Sequence, residues 1–328
     1  MGTGEKARPQ RRLVLIGVAA LAALLALGVA SPAVAKKKKK KSQPVVSATA
    51  SAPFNAASNQ TLAATCGKGA HVSGGGFAVS PNYVPGSGLT GTGLRSATGT
   101  SNPSGAKTWS VGSSSWANPS ASGTLTAVAR CEQDKLGKLF ATLSSSLSLT
   151  PGEGTPLVLN CPSGTHVVAG GYSGTSIGAF TYTAASFRLI MLQSQRTGPG
   201  QWTWVVANNQ FSPAAATVTV YELCEKNAKG VTVSEAGTTV PVTEDQRAAA
   251  DASCTGKTHA ISGGFVLSPI PTTSGTIPVT EIDEFQPTSK KTWHLGLFEA
   301  QGFATPAGST VREIVYCKKD AVAKKKKK

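Results

Sequence analysis

Six cysteines and four histidines carry most of the chemistry this 328-residue chain could perform. The cysteines form three pairs, Cys66 and Cys131, Cys161 and Cys224, Cys254 and Cys317, separated by 65, 63 and 63 residues. The pairs recur every 93 to 95 residues, so one unit has been copied twice. Thiolates at such spacing lack the short C-x2-C of zinc ribbons, which leaves disulfides as the use of these cysteines. Six cysteines can pair in many ways, but repeat symmetry favours pairing inside each copy. Closing a loop of this length contributes on the order of 4 kcal/mol in the chain-entropy account.

Three of the four histidines, His71, His166 and His259, sit five residues after the first cysteine of their copy. A neutral imidazole could hold a metal or take a proton near pH 6.5. One histidine per copy is not a ligand set, however, and uniting the three would require the copies to pack around an axis. A structural role is the simpler reading, and neither a metal nor any other cofactor is expected. Each histidine precedes an aromatic by six residues, which in an unbroken strand puts both on one face.

The elements that must position these groups repeat as well. A Gly-Gly pair follows each histidine (Gly75 and Gly76, Gly170 and Gly171, Gly263 and Gly264), and a Thr-Trp step follows further on, at Trp109, Trp204 and Trp293. Glycine inside a strand marks a bulge or a close backbone approach, so these pairs read as packing devices. Trp109 and Val111 alternate with Ser110, and Trp293, Leu295 and Leu297 with His294 and Gly296, a period of two that places the Trp on the core face of a sheet. Short β-branched runs between Gly, Pro and Ser clusters complete an all-β reading: three tandem disulfide-bonded, β-sandwich-like or small-barrel domains, each independent. The only helix expected is a turn or two near 244–252. True immunoglobulin topology is not supported, because the Trp lies before the second cysteine, not shortly after the first.

Several tempting signals fail on context. Gly86 to Gly91 spells G-x-G-x-x-G and Gly174 to Gly178 spells G-x-S-x-G, but neither sits in the strand-to-helix setting its chemistry needs. Glu281, Asp283 and Glu284 could ligate calcium, yet the other copies have no counterpart, and a solvated loop explains them. No nucleophile–base pair or recurring acidic pair can be named, so no enzyme activity is expected.

Charge and hydropathy assign the ends. Arg11 and Arg12 precede an apolar stretch from Leu13 to Ala30 and the small-residue triplet Ala33-Val34-Ala35, the pattern of an export signal over 1–35, with an uncleaved membrane anchor as the alternative. The net charge of +16 is concentrated in two lysine runs, 36–41 and 324–328. With the leader also set aside, the remainder of the chain is close to neutral. The organisation that follows is a lysine-rich linker over 36–42, repeats over 43–134, 135–227 and 228–320, and a lysine-rich tail over 321–328. Runs of like charge are interaction tails. Anionic cell-wall polymers or an anionic membrane surface are the expected partners, whereas a nucleic-acid binder would want a basic stripe on a folded face.

The string Cys161-Pro162-Ser163-Gly164-Thr165, the stretch Val168 to Gly171, Trp204 with Asn208, and Tyr221 to Cys224 together resemble a repeated module of secreted proteins from high-GC Gram-positive bacteria, of unassigned function. The resemblance covers roughly residues 43–319, although copies one and three lack the proline after the first cysteine. It implies secretion and a β fold, and it brings no catalytic residues. The expectation is a secreted, non-enzymatic, envelope-associated binding or structural protein. The alternatives are a carbohydrate-binding module using Tyr83, Trp116 or Trp202, and an extracellular hydrolase on a β scaffold.

Overall fold

The computed structural model describes residues 46–320 apart from 57, 83–95, 116–121, 134–140, 175–188, 209–214, 227–232, 245, 271–279 and 300–305. These residues form strands throughout, with no helix among them. The first copy supplies β1 (Val46–Asn55), β2 (Asn59–Thr65), β3 (Ala70–Ser80), β4 (Ser96–Gly105), β5 (Thr108–Ser115) and β6 (Ser122–Gln133). The second supplies β7 (Ala141–Leu149), β8 (Gly154–Asn160), β9 (Thr165–Gly174), β10 (Leu189–Gly198), β11 (Gln201–Asn208) and β12 (Ala216–Lys226). The third supplies β13 (Val233–Pro241), β14 (Arg247–Ser253), β15 (Thr258–Ser268), β16 (Thr280–Pro287), β17 (Thr292–Glu299) and β18 (Thr310–Lys319).

Alternation explains the strands, including the one expected to be helical. In β14 the alternate residues Ala248, Ala250 and Ala252 are buried while Ala249, Asp251 and Ser253 face out. Alanine carries no β-branched signal, so composition pointed to helix there. The period of two against β17 decides the outcome.

The three copies are all-β, disulfide-bonded and two-layered, but they do not stand alone. Each contributes two three-stranded halves, and each half completes a six-stranded sheet with a half from another copy. The sheet orders are β1-β6-β3-β16-β17-β14, β13-β18-β15-β10-β11-β8 and β2-β5-β4-β9-β12-β7. Copy one therefore joins copy three, copy three joins copy two, and copy two joins copy one, closing a ring with approximate threefold symmetry. Independence was expected from repeat length alone. It fails because a three-stranded half would otherwise leave an open backbone edge on β3, β9 or β15. Most of the buried aromatic and aliphatic residues of all three copies, Trp109, Trp202 and Trp293 included, accordingly form one core, beside a small second cluster of Ile190, Leu192, Ala207 and Phe298.

Strand register gives the body two distinct ends. Val46 lies opposite Cys131, Ala141 opposite Cys224, and Val233 opposite Lys318, next to Cys317. Thr65, Asn160 and Ser253, each one residue before a first cysteine, lie opposite Thr108, Gln201 and Thr292. All three disulfides, Cys66–Cys131, Cys161–Cys224 and Cys254–Cys317, thus gather at one pole, each tying together two different sheets.

Candidate functional site

The repeated glycines build the junctions between copies. A side chain on Gly75, Gly170 or Gly263 would collide with the ring of Trp109, Trp202 or Trp293 in the same copy. A side chain on the second glycine would meet the next copy's backbone: the Phe285 carbonyl at Gly76, the Ser101 carbonyl (2.7 Å) at Gly171 and the Ser194 carbonyl (2.7 Å) at Gly264. The aromatic that follows pairs across the junction, Phe77 with Phe285, Tyr172 with Ser101, and Phe265 with Ser194. One glycine admits the Trp; the other admits a neighbouring copy.

The register corrects the Trp alignment. Trp202 lies opposite Leu159, as Trp109 lies opposite Ala64 and Trp293 opposite Ala252. Trp202 is therefore the counterpart of Trp109 and Trp293, and Trp204 occupies the place of Val111 and Leu295. The signal was present in the sequence: Trp202 precedes Cys224 by 22 residues, as Trp109 precedes Cys131. Both Trp202 and Trp204 are fully buried, so Trp202 offers no aromatic platform to a glycan. Tyr83, Trp116 and the Gly86–Gly91 string lie outside the described residues, as does all of the second glycine string after Gly174.

The three histidines converge at the cysteine pole, where the copies do pack around an axis. A β-bulge interrupts β3, β9 and β15 two residues after each histidine, at Ser73, Val168 and Ile261. Bulges bend a strand and re-aim its side chains, so the parity linking histidine to the later aromatic does not hold. His71, His166 and His259 are all buried, and they meet the residues that directly follow the second cysteines, Glu132, Glu225 and Lys318. The Lys318 ammonium lies 2.7 Å from Glu132 and 2.8 Å from Glu225. His166 Nε2 is 3.4 Å from Glu225, His71 Nε2 is 3.9 Å from Glu132, and His259 Nε2 is 2.8 Å from Glu132. His259 Nδ1 faces Asp320 at 2.7 Å, and Asp320 in turn takes Lys290 at 2.9 Å. Both nitrogens of His259 thus face carboxylates, Glu132 on one side and Asp320 on the other.

Electrostatics make this cluster a clamp. Burial opposes the charge on Glu225, but His166 and Lys318 outweigh it and hold the carboxyl down at about 2. Burial is likewise overridden at Glu132, whose carboxyl is lowered by hydrogen bonding to His259 and by Lys318. Burial disfavours the Lys318 ammonium, and the two carboxylates more than compensate, raising its pKa. Nearby, Arg130 donates from Nε to the Ala260 carbonyl at 2.8 Å and also to the Lys290 carbonyl, binding copy one to copy three. Three copies are thus held by charges contributed from all of them. The sequence reading missed Glu132, Glu225 and Lys318, although they share one repeat position; their alternation in sign hid the equivalence.

The acidic cluster of copy three is not a solvated loop. Glu281, Asp283 and Glu284 lie on β16, and Glu281 and Asp283 are buried. Arg247 donates to Asp283 (3.1 Å) and Glu284 (2.8 Å), and His294 bridges Glu284 (2.8 Å) and Asp251 (2.9 Å). Hydrogen bonding to Glu284, reinforced by Asp251, raises the His294 pKa. Asp283, Glu284 and Asp251 are thus matched by the side chains of Arg247 and His294. The one His/Cys/Asp/Glu grouping with ligand-like spacing among the described residues is Cys161, Glu222 and Cys224, whose sulfurs are bonded to each other. Burial pushes the Glu222 and Glu299 carboxyls up to about 7 and Glu313 up to about 10, so Glu313 is a neutral acid at pH 7, accepting from Leu295 N–H at 3.0 Å.

Three disulfides fit an oxidising, extracellular setting. Among the described residues no helix is long and apolar enough to cross a membrane. No known protein-family model matches the chain, and no curated protein matches it in sequence.

Proposed function

We propose that this is a secreted, non-enzymatic protein of the cell envelope, a rigid β body held to anionic polymers by its lysine-rich ends. One observation carries the reading. The first described strand begins at Val46, opposite Cys131, and the last ends at Lys319, opposite Thr258 near Cys254. Both described chain ends therefore lie at the same pole, each five residues in sequence from a lysine run, 36–41 or 324–328. Eleven cations tethered at one end act together, because binding by one run raises the effective concentration of the other. The export pattern over 1–35 and the likeness to secreted modules of high-GC Gram-positive bacteria support the location. The buried clamp supports a structural body: Lys318 of one copy pairs with Glu132 and Glu225 of the other two.

The test is sedimentation of the mature protein with isolated envelopes across a salt series, with and without the two runs. Binding is expected to fall steeply as salt rises and to be lost on deleting both runs. Salt-resistant binding that survives deletion would overturn the electrostatic reading.

A further inference from the structure

The described lysines of the folded body are gathered at the pole where its described chain ends lie. Lys68, Lys107, Lys226, Lys257, Lys290 and Lys319 are exposed and sit on turns or strand ends beside the disulfides. The Lys107 carbonyl accepts from Cys66 N–H at 2.8 Å, and the Lys257 carbonyl accepts from Asp320 N–H at 2.8 Å, so both turns are fixed to the body. The acids described at this pole are already engaged: Glu132 and Glu225 with Lys318, and Asp320 with His259 and Lys290. At the opposite pole the described residues of the connecting turns include neither Lys nor Arg, while Glu153 and Glu244 are exposed. Arg247, which opens β14 at that end, is paired with Asp283 and Glu284. Among the described residues the body is therefore a dipole aligned with its strands.

We infer that the cysteine pole is itself a docking face for a phosphate-bearing polymer, on which the body stands end-on with its opposite pole directed outward. The inference rests on the electrostatic reading above and adds a fixed orientation and a second set of contacts. A polymer suits this face better than a bilayer does. The exposed large hydrophobic side chains among the described residues are two valines, Val46 and Val158, on strands of different sheets, so there is no apolar cluster to enter a lipid interface. Lysine ammoniums on short turns are compact point charges suited to successive phosphates.

The experiment uses the full mature chain and immobilised long-chain inorganic polyphosphate, with phosphatidylglycerol vesicles in parallel. One variant carries Lys→Gln at the six body lysines with both runs intact; a second carries Lys→Arg at the same six; a third lacks only the runs. The Gln variant should bind polyphosphate about tenfold or more weakly at ~0.15 M salt, with a shallower salt dependence, while the Arg variant binds like the parent. On binding, hydrogen exchange should slow at 66–70, 105–108 and 255–258 and stay unchanged at 150–153 and 242–244. A Gln variant that binds like the parent, while the run-less chain does not bind, would overturn the docking face and leave the tails as the sole anchor. A parent that binds neither polyphosphate nor envelopes would sink both readings. Binding to vesicles without binding to polyphosphate would overturn the choice of partner.

Discussion

Copy three differs from copies one and two at positions where the three meet, and the differences show how a repeat breaks its own symmetry. After the second cysteine, two copies carry Glu132 and Glu225, but the third carries Lys318. Three carboxylates around one buried axis would repel; a cation in one of the three places pairs with both of the others. At the junction, Ser101 and Ser194 accept from Trp109 Nε1 and Trp202 Nε1 at 3.0 Å, whereas Phe285 takes that place in copy three and packs 5.7 Å from Trp293. Trp293 Nε1 is left without a hydrogen-bond partner. Opposite the junction aromatic, Ala127 and Val220 give way to the buried acid Glu313. The first substitution brings opposite charges together where the three copies meet. The other two exchange polarity for packing, or packing for polarity, in one copy only.

Replacing Lys318 should therefore be the most damaging change. Lys318→Met leaves Glu132 and Glu225 buried without their cation and is expected to destabilise by about 3–5 kcal/mol, read from urea unfolding with disulfides intact. A loss below about 1 kcal/mol would mean that the axis does not hold the copies together. The same clamp sets an acid limit. Glu225 has a depressed folded pKa, so its contribution is present above the unfolded carboxyl range and fades as pH falls toward about 2.

Glu313→Gln should act in the opposite direction. Its folded pKa is raised, so the native state is favoured below the unfolded value of 4.5 and loses ground as pH climbs toward about 10. The variant escapes that loss and should gain about 2–3 kcal/mol at pH 7, with no gain below pH ~4. A pH-independent difference between the two proteins would show that burial of the acid is not the cause. The smallest effect belongs to Ser194→Ala, which strands the Trp202 N–H and should lower stability by about 1 kcal/mol. If no loss is seen, copies one and two gain nothing from the hydroxyl that copy three lacks.

Much of the fold was legible because it is written in local signals. The cysteine spacing announces the copies and their bridges, and the Gly-Gly pairs announce close approach. Alternation at Trp109 and Trp293 identifies the strands. What was hidden depends on the partner across each junction. Gly76, Gly171 and Gly264 read as room for a residue of their own copy, since sequence does not say whose backbone approaches. The histidines looked isolated because their counterparts, Glu132, Glu225 and Lys318, come from other copies as well as their own and differ in sign. The Trp204 alignment followed the Thr-Trp dipeptide, whereas register follows distance from the disulfide. Within β14, three alternating alanines leave little for composition to detect.

The junction of β3 with β16 joins the first copy to the last, with just over two hundred residues between Phe77 and Phe285. A chain made from its N-terminus cannot finish its first sheet until its final copy arrives. Until then the outer backbone edge of β3 is an adhesive strand awaiting a partner. Any molecule cut short before β16 keeps that edge, and a second molecule can fill it as well as the missing copy would, producing open chains of exchanged halves in place of a ring. Completeness of the polypeptide is thus the condition for remaining a single molecule.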